Sequence, residues 1–64
     1  MPLEVMIEKW SRRDGSDDYL WSLWQGGKRV TMGGHFDSAD AAETAARQFC
    51  RQRLGAEPDK VTRI

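Results

Sequence analysis

His35 and Cys50 are the only imidazole and thiol in the chain, so metal or nucleophilic chemistry would have to start from them. A metal site would need both, with carboxylates gathered from separate elements, because no ligand-type residues stand at a recognised spacing. Cys50 falls on an apolar helical stripe, where a buried thiol is inert. Asp14, Asp17 and Asp18 surround Gly15 without the full pattern of a helix-loop-helix calcium site. Gly26-Gly27-Lys28 lacks the upstream glycine of a phosphate cradle and sits in a hairpin rather than between a strand and a helix. We therefore expect no catalytic residues, no cofactor and no metal. The chain reads as non-enzymatic.

What remains is the chemistry of recognition. Trp10 and Trp24 bring large rings, Met6 and Leu20 bring apolar bulk, and Arg29 brings a cation. Tryptophan and arginine are the side chains most often found as interface anchors. Arg12, Arg13, Lys28 and Arg29, together with Trp24, are a second set that could hold a phosphate backbone and stack on bases. Which set operates depends on the elements that place them.

LEVMIEKW reads as a first strand, because side chains on a strand alternate with period two. Leu3, Val5 and Ile7 point one way, and Glu4, Met6, Glu8 and Trp10 the other. SRRDGSDD is polar with a glycine and reads as a loop. Tyr19–Gln25 is a second strand and Lys28–Phe36 a third, joined at Gly26-Gly27, which accepts the positive φ of a two-residue hairpin turn. Gly33-Gly34 marks a bulge or a close backbone approach. Asp37 or Ser38 caps a helix running to about Leu54, with Asp40 and Glu43 early, Arg51 and Arg53 late, and Gly55 behind it. Ala42, Ala45, Ala46, Phe49, Cys50 and Leu54 form its apolar stripe. AEPD is a connector, and KVTRI either adds a short edge strand or frays. The expected fold is α+β: a three-stranded antiparallel meander with one helix packed on one face, in a single domain spanning residues 1–64.

A two-residue loop fixes the register of the hairpin. Gln25 then faces Lys28, Trp24 faces Arg29, Leu23 faces Val30, Ser22 faces Thr31 and Trp21 faces Met32. Tyr19, Trp21 and Leu23 share a face with Val30, Met32 and, without a bulge, Phe36. That face meets the helix, whose alanines allow close approach. Leu20, Ser22, Trp24, Arg29 and Thr31 occupy the other face with Met6 and Trp10. One helix cannot cover both. Met6, Trp10, Leu20, Trp24 and Arg29 are thus the expected partner-binding residues, an apolar patch rimmed by charge, with Trp24 and Arg29 placed for a cation–π pair.

Composition narrows the function classes. A chain of 64 residues buries only roughly 60% of the surface it exposes when unfolded, which leaves little room for an enclosed active site. Ten basic and ten acidic side chains cancel, against the basic excess usual in nucleic-acid-binding modules. The charge is uneven all the same: acids dominate up to Gly27 and arginines dominate after Glu43. No stretch is long and apolar enough for a membrane span, and MPLEVMIEKW, with Glu4 and Glu8, lacks the basic start of a secretory signal. A single cysteine fits a reducing compartment, so a cytoplasmic location is expected. The expected partner is a protein or a second copy of the chain, with nucleic acid as the alternative. An accessory, regulatory or phage-type inhibitor role suits the size.

Residues 21–49, WSLWQGGKRVTMGGHFDSADAAETAARQF, carry an aromatic strand, then Gly-Lys-Arg, then Gly-x-Phe, then an alanine-bearing helix. This order resembles the AP2-like, arm-type DNA-binding domain of tyrosine recombinases, over under half of the chain. The resemblance implies a strand-strand-strand-helix fold and DNA binding through the sheet. In that family the third strand and its turn are strongly basic. Here only Lys28 and Arg29 match, followed by Val30, Thr31 and Met32. The same pattern resembles small uncharacterised bacterial and phage proteins, which implies the fold alone.

Overall fold

The computed structural model describes residues 2–64. Three long strands, β1 (Leu3–Ser11), β2 (Asp17–Gln25) and β3 (Lys28–Phe36), precede a helix, α1 (Ala39–Phe49). A single π-helical turn, Cys50–Leu54, continues α1, and a short strand, β4 (Lys60–Arg63), ends the chain. The sheet order is β3-β2-β1-β4, antiparallel through β1, with β4 parallel to β1. KVTRI therefore adds an edge strand. Its entry is fixed by a reciprocal pair: Leu3 N–H donates to Asp59 Oδ2 at 2.7 Å, and Asp59 N–H donates to the Leu3 carbonyl at 2.8 Å.

The period-two pattern places Leu3, Val5, Ile7, Trp21 and Leu23 on one face, where α1 buries them with Ala42, Ala46 and Cys50. Tyr19, Phe36, Phe49 and Val61 close the margins of this core. The ring of Trp21 meets that of Phe49 with centroids 5.3 Å apart and a tilt of 45°, a favourable aromatic geometry. Ser38 is the N-cap, its Oγ accepting from the Ala41 N–H at 3.1 Å. Arg63 of β4 reaches Asp40 at 2.7 Å and Glu43 at 3.0 Å, tying the edge strand to the helix. Arg47 and Arg63 both donate to Glu43, and these bonds hold its carboxyl below the ordinary carboxylate value.

Three expectations are corrected. The hairpin begins as read, with Gln25 opposite Lys28 and Trp24 opposite Arg29, and both turn glycines adopt positive φ (60° and 81°). Beyond Trp24 the register shifts: Leu23 faces Thr31, Ser22 faces Met32 and Trp21 faces Gly33. A bulge adds one residue to one strand and so reverses the faces of all that follow. Val30 and Met32, expected in the core, are 52% and 46% exposed. A second irregularity between Trp21 and Tyr19 returns Phe36 to the core side, opposite Tyr19. Leu54 is exposed rather than on the buried stripe, because the wider π turn rotates it out of phase with Cys50. Finally, the polar loop is shorter than SRRDGSDD, since β1 keeps Ser11 and β2 already includes Asp17 and Asp18.

Candidate functional site

The face of the sheet away from α1 is built in cross-strand rows. The first row holds Arg29, Trp24, Glu4 and Lys60, contributed in order by β3, β2, β1 and β4. The second holds Met32, Ser22, Met6 and Thr62. Leu20 and Glu8 form a third row, with Leu20 lying against the backbone of Gly34. Trp10 and Asp18 form the last, where Asp18 is bonded to His35.

Met6, Trp10, Leu20, Trp24 and Arg29 thus share this face. Met6, Leu20 and Trp24 are half-buried, Arg29 is exposed, and Trp10 is 59% exposed. They do not form one cluster. Trp24 and Met6 border a depression lined also by Pro2, Glu4, Gly26 and Gly27 at the hairpin end. Trp10 lies at the opposite end of β1. Between them Ser22 is only 1% exposed, although no helix covers it. The indole of Trp24 folds back along its own strand, Nε1 donating to Ser22 Oγ at 2.9 Å. Met6 and Met32 are the register partners of Ser22 on its two sides. This bond orients the ring along β2, where a cation–π pair with Arg29 was expected.

Met32 is the apolar member of this surface that periodicity alone misses. The bulge that moves Met32 from the core face to the open one falls at Val30, between the Trp24–Arg29 and Leu23–Thr31 pairs, and no glycine marks it.

The second residue set is split. Lys28 and Arg29 flank Trp24 at the hairpin, whereas Arg12 and Arg13 follow β1 at the far end of β2. Glu4 and Glu8 stand between the two groups on the same face. Arg12 is engaged with Asp18 Oδ1 at 2.7 Å, while His35 Nδ1 contacts the other carboxylate oxygen. Burial pushes the Asp18 carboxyl up, but the hydrogen bonds from His35 and Arg12 outweigh it and hold the group below its ordinary value. Asp18 therefore links the β1–β2 loop to the end of β3, a role invisible while it reads as a loop residue.

Among the described residues no three of His, Cys, Asp and Glu gather where they could hold a metal ion, and no helix is long and apolar enough to cross a membrane. Burial pushes the Cys50 thiol up, so it stays protonated and unreactive near neutral pH. No family model, curated protein or solved structure matches the chain.

Proposed function

We propose that the chain is a non-enzymatic interaction protein that binds a protein surface through the helix-free face of its sheet. One observation carries this reading. Trp24, Met6, Met32 and Leu20 line a face that no element among the described residues covers, rimmed by Arg29, Glu4, Glu8 and Lys60. An apolar strip with a charged rim is the surface pattern of an interaction site. Nucleic acid is the rival occupant. In its favour, Lys28 and Arg29 border Trp24 and have no acidic partner within ion-pair distance among the described residues. Against it, the basic residues are divided between two ends with glutamates between them, so no continuous track for a phosphate backbone forms.

Site-specific photo-cross-linking separates the readings. A photoreactive side chain at Met32, on the open face, should yield protein adducts in cell extract, whereas the same group at Thr44, on the solvent side of α1, should yield far fewer. Equal yields from both positions, or nucleic-acid adducts from Met32, would defeat the proposal.

A further inference from the structure

The outer face matches itself when it is turned over about an axis along β2. In the first row Arg29 and Glu4 lie on either side of Trp24, and in the second Met32 and Met6 lie on either side of Ser22. Rotation by half a turn about β2 exchanges the β1 and β3 columns within each row and keeps β2 on itself. Arg29 then falls on Glu4 of the second copy, Met32 on Met6, Trp24 on Trp24 and Leu20 on Leu20. Glu8 meets the position of Gly34, where no side chain opposes it. In the first two rows opposite charges meet and apolar groups meet, while in the last row Asp18 falls on Asp18, each held within its own copy by Arg12 and His35.

We infer that the protein that covers this face is a second copy of the chain, stacked sheet on sheet about a two-fold axis along β2. This rests on the outer face being the binding surface and adds the identity of the partner. Isologous interfaces require such self-complementarity, because every contact is made twice. The two sheets would lie about 10 Å apart, the usual separation of stacked sheets. Lys60 and Thr62 on β4 fall outside the overlap of the three central columns, at the rim.

Charge exchange tests the arrangement. Purified wild-type protein should sediment as a concentration-dependent dimer. Glu4→Arg and Arg29→Glu should each weaken dimerisation at least about tenfold, because each creates two like-charge contacts. The double variant should restore the wild-type constant, with thermal melts confirming that all variants remain folded. A wild type that is monomeric at every concentration overturns self-pairing, while cross-links from Met32 to a foreign protein would leave the face reading intact. A dimer indifferent to both charge reversals and to Trp24→Ala uses another surface, and self-pairing through this face then fails. Single variants that weaken the dimer without rescue by the double variant overturn the proposed register.

Discussion

The indole of Trp21 packs directly on the bare backbone of its cross-strand partner Gly33: a Cβ at position 33 would stand 2.7 Å from Cε2, Cζ2 and Nε1 of the ring. The bulge that brings Gly33 opposite Trp21 is therefore matched to the size of the ring. In the unshifted register Met32 would compete with the indole for the same space.

Gly33→Ala should destabilise the fold by about 1–3 kcal/mol, the usual cost of overpacking, because the buried ring cannot step aside. Gly34→Ala should cost clearly less. Its added methyl meets Leu20, a half-exposed side chain free to move outward. Urea unfolding of the two variants checks the order, and equal losses would show that Trp21 is not held against β3 as described.

The two tryptophans of β2 should separate into different tasks. Trp21→Ala removes a core ring and should cost about 3–5 kcal/mol. That is a large share of the roughly 3–10 kcal/mol available to a chain of this length, so the variant should be severely destabilised. Trp24→Ala should cost under about 1.5 kcal/mol while abolishing association. Circular dichroism with sedimentation reads both effects at once.

Acid should loosen the join between the β1–β2 loop and β3. The carboxyl of Asp18 has a folded-state pKa below its unfolded value, so its contribution is fully present above the ordinary range near pH 4 and is lost as pH falls through the folded value. Glu43 acts in the same sense. Wild-type stability should be flat above about pH 5 and fall below about pH 4. Asp18→Asn should be less stable at neutral pH and show a shallower acid slope. Denaturation midpoints across this range would expose a slope that ignores the substitution.

Much of the architecture was legible because it rests on local patterns. Alternation along Leu3–Ile7 and Tyr19–Leu23 marks the buried face, Gly26-Gly27 marks the hairpin, and Ser38 with the alanine stripe marks the helix. Period two loses its meaning at Val30, because a bulge leaves no trace in the alternation itself. The contest between Trp21 and Met32 for one space decides it, and that depends on three-dimensional volume. The burial of Asp18 was illegible for a related reason. A lone acid in a polar run reads as solvated until Arg12 and His35, from two other elements, arrive beside it. Trp24 and Arg29 keep the outer face because they lie between the turn and the bulge. Met32 joined it because it follows.

A dilution series of two-dimensional amide NMR spectra tests the central claim most directly. Between about 1 mM and about 10 μM, cross-peaks of Glu4–Glu8, Leu20–Trp24 and Arg29–Met32 should shift together with one dissociation constant, while those of α1 stay fixed. Shifts confined to α1 or to the free edge of β4, or unchanged spectra from a species that tumbles as a monomer throughout, would contradict an interface centred on Trp24.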